Sequence, residues 1–393
     1  MSLQSIGIVG GGMFGVTAAI ALRERGHAVE LFDPGPLPHP DAASTDISKV
    51  VRIEYGADET YTELGEQAQA GWRRWNAEGG EPLYHETGIL ALSRKPFAPG
   101  GYEHDSFRML LKRGHRPERL GPEQVAARFP AWRTADYADG FYHARGGYAE
   151  SGRVVARLVA RARRLGVEIV AGRRFARLLE RGSKVTGIIT DDGQAWLARQ
   201  VIIAAGAWTG SLLPHLAEIL RPSGHPVFHL RPTDPTPYRA GRFSVWCADV
   251  ANTGWYGFPA NRDGIVKVAN HGVGKIQHPD LPRQITPGYE ERLREFLRAS
   301  LPGLADAPIV STRLCFYCDT FDEHFWIARD PDRDGLIVAA GDSGHGFKFA
   351  PVIGDIIADI AEGQPHPLAH RFRWRPEVHP AAGEEASRHH GAE

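Results

Sequence analysis

Three cysteines in 393 residues, Cys247, Cys315 and Cys318, are too few to staple a fold, so the chain has no disulfide framework and depends on an ordinary buried core. No charge of one sign dominates either. The 46 Lys+Arg stand against 47 Asp+Glu, a formal net charge of -1 with a pI near 7.0. Such a balance gives no field to gather nucleic acid or anionic lipid, and the expected partner is a small molecule. No segment approaches the roughly twenty consecutive apolar residues that cross a bilayer. The apolar start Ile6-Gly7-Ile8-Val9 is short, ends in glycines and lacks the basic flank and cleavage site of a secretory leader. A cytoplasmic protein without a membrane partner is the expectation. Lysine is scarce beside arginine, so a lysine inside a motif carries extra weight.

What is present suits a globular enzyme. Hydrophobic residues make up 42% and charged residues 24%, and at roughly 150 residues per domain the length suggests two or three. The first unit reads as strand Ser5 to Val9, a glycine turn, helix Val16 to Arg25 closed by Gly26, and strand His27 to Phe32. A second α/β stretch runs from Ser151, a candidate N-cap, through helix Arg153 to Leu165 into strand Val167 to Val170. Lys184 to Thr190 and Gln194 to Ala198 read as a hairpin about Asp191-Asp192-Gly193, before the apolar strand Gln200 to Ala205. Strand Gly335 to Ala340, a glycine-rich segment and a helix from about Pro351 to Ile360 close the series. Between these pieces lie 86–140 and 216–324, richer in aromatics and alternating patterns. The tail, 376–393, is polar and expected to be disordered.

Gly10-x-Gly12-x-x-Gly15 follows an apolar strand and opens a helix, and Asp33 ends the next strand. In that setting the glycines permit a tight turn, close approach of backbone to a pyrophosphate and close helix packing. The helix start, including Met13 and Phe14, offers free N–H groups to phosphate. Asp33 is placed to accept from ribose hydroxyls and to repel a 2′-phosphate, which disfavours NADP. The fingerprint alone does not separate NAD from FAD. Cys315-x-x-Cys318 has the spacing of a redox motif or half a zinc site. It sits in a β-patterned run with no second Cys or His pair nearby.

Several further runs occur in a fixed order: Gly206-Ala207-Trp208, Tyr256-Gly257-Phe258-Pro259, Lys267, Cys315, Asp322-Glu323-His324-Phe325 and Ser343-Gly344-His345-Gly346-Phe347-Lys348. Together with the glycine fingerprint they resemble the monomeric sarcosine oxidase family, FAD-dependent amine oxidases of the D-amino acid oxidase superfamily. The resemblance extends to about residue 372. It implies an α/β fold, an FAD-binding Rossmann-like doubly wound domain with a second α+β substrate domain on a mixed β-sheet. The first would comprise 1–85, 141–215 and 325–375, the second 86–140 and 216–324.

By the same resemblance the cofactor is FAD, carried covalently by Cys315 and contacted by Ser44, Thr45, Gly206, Trp208, Gly344, Gly346, Phe347 and Lys348. Lys267 is expected to face the flavin and promote reaction with O2, although an alternating strand normally sends such a lysine to solvent. Arg52 and Lys348 are expected to clamp a substrate carboxylate, with Tyr256 and His271 as pocket walls. The implied reaction is oxidation of a secondary or N-substituted amino acid to an imine, with O2 reduced to H2O2 by a monomeric protein. A dehydrogenase using another electron acceptor is the alternative. Lys49 stands where sarcosine oxidases carry a flavin-proximal arginine, as in the fructosyl amino acid and pipecolate branch. Ser44-Thr45 replaces a double histidine, which argues against sarcosine. Asn270-His271 replaces the glutamate that fructosyl oxidases use, which argues against sugar recognition.

Overall fold

The computed structural model describes residues 3–78, 80–377 and 385–391. Strands Ser5–Val9, Ala28–Asp33, Glu168–Ala171, Gln200–Ile203 and Leu336–Ala340 form a parallel sheet, with Trp326–Arg329 added antiparallel at one edge. Ser5–Val9 lies at its centre, pairing Ile8 with Leu31 on one side and with Ile202 on the other. A central strand covered on both faces of its sheet has to be apolar on both, which is why Ser5–Val9, Gln200–Ile203 and Leu336–Ala340 read as near-continuous apolar runs. Helices Met13–Glu24, Ser151–Arg164 and Ala350–Glu362 pack on one face through Val16, Ile20, Val155, Leu158, Ile353 and Ile357. On the other face lies a three-stranded antiparallel sheet, Phe175–Arg181, Lys184–Thr190 and Ala195–Leu197, packed through Phe175, Val185 and Ile188.

Element boundaries differ from the sequence reading by a few residues, with two substantive exceptions. Phe175–Arg181, unassigned in the sequence, pairs with Lys184–Thr190 and widens the expected hairpin to three strands. Ser151 begins its helix instead of capping it, and its hydroxyl donates to the Asp46 carbonyl at 2.9 Å. That bond ties the helix to the loop that carries the site.

A second, nine-stranded mixed sheet draws on residues 89–143 and 221–319. The two-strand ribbon Arg221–Leu230 with Ile309–Asp319 runs the length of its edge region, and Val266–Asn270 pairs with the other side of Arg221–Leu230. Trp246, Phe228, Val268 and helix Tyr289–Ser300 make its core. A short antiparallel sheet of Lys49–Val51, Tyr84–His85 and Gly147–Ala149 carries Lys49. No described helix is long and apolar enough to cross a membrane.

Candidate active site

The carboxyl ends of the parallel strands open into a long cleft lined by Gly10, Gly12, Met13, Phe14, Asp33, Ser44, Gly206 and Trp208. Gly10 has φ 106°, and a Cβ there would overlap the Ala204 carbonyl. A Cβ on Gly15 would overlap the Gly10 carbonyl oxygen, so Gly15 packs the helix against the turn and does not line the cleft. Gly12 faces open space, its nearest prospective neighbour being Ser44 Oγ at 3.6 Å. Asp33 accepts from the Gly11 and Gly35 N–H groups at 2.8 and 3.0 Å and still borders the cleft. Burial pushes its carboxyl up despite those two bonds. Trp208 donates to Asp280 at 2.6 Å. Thr45 and Gly346 lie behind the lining, Thr45 with its carbonyl taken by Arg313 and Gly346 against Phe14.

The far end of the cleft meets a second pocket, and Lys49, Tyr317, Gly344 and Phe347 line both. Behind this junction lies a buried cluster of charge. Lys49 Nζ is 3.4 Å from Cys315 Sγ. Burial raises the Cys315 thiol, but Lys49 and Arg313 outweigh it and hold the thiol below its usual range. Cys318, three residues along the strand, faces the opposite side in the first sheet's core, so the two sulfurs cannot pair.

Lys267 is 1% exposed, contrary to the habit of a lysine on an alternating strand, because all of Val266–Asn270 is buried. Its ammonium donates to Asp46 Oδ2 at 2.6 Å and to the Ser48 carbonyl at 2.7 Å. Asp46 Oδ1 in turn contacts His229 Nε2 at 3.1 Å. Burial lowers the Lys267 pKa to about 8, with Asp46 opposing a larger fall. Asp46 itself stays ionised, since Lys267 and His229 overcome the cost of its burial.

The second pocket brings together Arg52, Lys348, His271 and Tyr256, four residues widely separated in sequence. Lys348 Nζ donates to Tyr55 OH at 2.9 Å and to the His345 carbonyl at 2.8 Å. Burial and the adjacent Arg52 drive its pKa well below the usual lysine range. Burial likewise lowers His271, leaving it neutral. Trp246, Tyr102, Val245 and Phe258 supply apolar walls.

The expectation of a disordered tail fails for residues 385–391, while 378–384 and 392–393 lie outside the described residues. Glu385 is buried behind the pocket lining, where it binds Arg52 Nη2 at 2.7 Å and His271 Nε2 at 3.0 Å. Ser387 lines the pocket and accepts from Arg52 at 2.7 Å. Arg52 is therefore no surface ion pair, and the expected clamp includes a carboxylate of the chain itself. Glu385, Ser387 and Asp46 had no role in the sequence reading. Asp46 was within reach as the one acid in the run before Lys49. Glu385 was not, because nothing in a polar tail names a partner 333 residues away.

The cleft fits a dinucleotide on its own chemistry: open backbone at Gly12, a helix start, an acid at a strand end, and a buried Ser44 hydroxyl without a partner. A cleft of this kind, opening onto a second pocket lined by Arg52, Lys348 and aromatic side chains, is that of a dinucleotide-binding protein with an adjoining substrate chamber. The chain belongs to the DAO family of FAD dependent oxidoreductases, whose model matches residues 5–360. It is 29% identical to the L-saccharopine oxidase of Schizosaccharomyces pombe, over 95% of this chain and 93% of that protein. It is 28% identical to the N-methyl-L-tryptophan oxidase of Citrobacter koseri, over 91% of this chain and 94% of that one. Among solved structures, the fructosamine oxidase Amadoriase II from Aspergillus fumigatus superposes with a TM-score of 0.85 at 26% identity, covering 99% of this chain and 94% of its own.

Proposed function

We propose that this protein is an FAD-dependent oxidase of a secondary or N-substituted amino acid, converting its C–N bond to an imine and O2 to H2O2. The observation that carries this reading is the junction at Lys49, Tyr317, Gly344 and Phe347, where the dinucleotide cleft meets a pocket containing Arg52 and Lys348. Bound FAD would supply the hydride acceptor and pass electrons to oxygen. Gly10, Gly12, Met13, Phe14 and Asp33 would hold its dinucleotide portion, and Ser44, Gly206, Trp208 and Gly344 its walls. Cys315, with its lowered thiol pKa, would carry it covalently.

Arg52 and Lys348 orient the substrate by its acid end, Arg52 as a directed fork and Lys348 as a hydrogen-bond donor whose protonated form an incoming carboxylate would favour. Tyr256, Trp246 and Tyr102 exclude water around the amine. Lys267, cationic at neutral pH, stabilises negative charge as it develops on oxygen. Residues 1–85, 141–215 and 325–375 are read as the cofactor unit, and 86–140 with 216–324 as the substrate unit that covers it. A monomeric cytoplasmic enzyme remains the expectation.

The test is peroxide release from a panel of N-alkyl amino acids, with flavin bleaching followed anaerobically. Peroxide and bleaching with the same compounds support the oxidase. Bleaching with slow peroxide release indicates a dehydrogenase, and neither across the panel rejects the proposal.

A further inference from the structure

Residues 385–391 pack against the site, with Ser387 lining its pocket and Ala386, His390 and Gly391 exposed. Glu385, Ser387 and Arg388 are 4%, 3% and 5% exposed, as buried as core residues. Arg388 is the anchor. Its guanidinium takes both oxygens of Asp319, at 2.9 and 2.7 Å, lies 3.0 Å from Glu323 and donates to the carbonyls of Gly272 and Val273. The His389 N–H adds a bond to the His271 carbonyl at 3.0 Å. The Glu385 N–H donates to Glu323 Oε2 at 2.9 Å.

With the segment so held, the Glu385 carboxylate lies between Arg52 and His271 and accepts from the Ser387 hydroxyl at 2.5 Å. Arginine, imidazole and hydroxyl around a carboxylate are the contacts that a substrate acid would seek at this end of the pocket. Arg52 keeps Nη1 buried and without a partner. One guanidinium can meet a second carboxylate there, but two carboxylates beside one cation repel each other in a site shielded from water. Removing Glu385 would leave a buried, unbalanced cation, which a substrate carboxylate would neutralise.

We propose that the C-terminal segment is a specificity-determining part of the substrate site, in which Glu385 is a tethered stand-in for the substrate's acid group. A substrate carboxylate gains Arg52 by displacing Glu385, which loosens the segment that Arg388 otherwise anchors. The idea rests on the reading of Arg52 as the partner of the substrate acid.

Full-length, FAD-loaded protein and its Glu385→Ala and Glu385→Gln variants are compared by anaerobic flavin reduction. The probes are the best amino acid of the panel and the same amine lacking its carboxyl group. Expected is a fall of at least fivefold in the half-saturating concentration of the amino acid in Glu385→Ala, with the preference for acid over amine rising by a similar factor. An unchanged or higher value for the amino acid overturns the proposal. Arg52→Met separates the two failures. If it leaves the acid preference alone, the reading of Arg52 is wrong. If it abolishes that preference while Glu385→Ala does not strengthen it, only the stand-in role fails. Should the variants fold poorly, the unmodified protein still decides: sodium acetate should speed tryptic cleavage after Arg388 several-fold over sodium chloride at equal ionic strength. Equal rates overturn the displacement.

Discussion

The Lys267 ammonium survives inside the protein because Asp46 and the Ser48 carbonyl replace the water it has lost. For a base, burial disfavours the charged form, so the pKa falls from the ordinary 10.5 to about 8. Lys267 is therefore a cation below about pH 8 and neutral above it. The rate of reoxidation by O2, measured by stopped flow, should fall as pH rises through that value. Lys267→Met should remove the pH step and slow reoxidation by roughly 10²–10³-fold while flavin reduction by substrate changes far less. Asp46→Asn should move the step to lower pH. Stability follows the same sign: the charged lysine costs the folded state most below pH 8, and the cost is relieved between about pH 8 and 10.5. Cys315 gives a second outcome at this scale. Yellow colour should stay with the acid-precipitated wild-type polypeptide and be lost to the supernatant from Cys315→Ala.

Among the elements, the glycine turn separates folding from binding within six residues. Gly12→Ala places its methyl in open cleft, with Ser44 Oγ at 3.6 Å, so thermal stability of the cofactor-free protein should hold while FAD affinity falls. Gly15→Ala forces a methyl into the Gly10 carbonyl and should cost more than the roughly 1–3 kcal/mol of an overpacked core. Differential scanning calorimetry on both apoproteins distinguishes them. This turn was legible in the sequence because its constraints are local: strand, turn and helix contact one another within thirty residues. The buried state of Lys267 was not. Alternation along Val266–Asn270 says nothing of the strands on either side, and its counter-ion stands 221 residues away.

For the whole molecule, the cleft and the pocket are built from both large sheets and from stretches spread between Val9 and Ser387, so cofactor and fold are linked. In Cys315→Ala, where the flavin is exchangeable, stripping FAD should lower the melting temperature, and the loss should shrink as free FAD is restored in excess. The apolar runs carried the parallel sheet, and the motifs carried many of the residues that line the two chambers. The docking of 385–391 was hidden because polar composition reports a lack of apolar surface to bury and is silent on ion pairs. The four residues shared by the two chambers have a practical consequence. Redesign aimed at a different amine has to leave Lys49, Tyr317, Gly344 and Phe347 alone, since altering any of them disturbs the pigment's seat as well. Of the two chambers, Ile89, Val245, Trp246 and Val250 touch only the inner one, and saturation mutagenesis there should reshape which amine is accepted while the dinucleotide cleft keeps its lining.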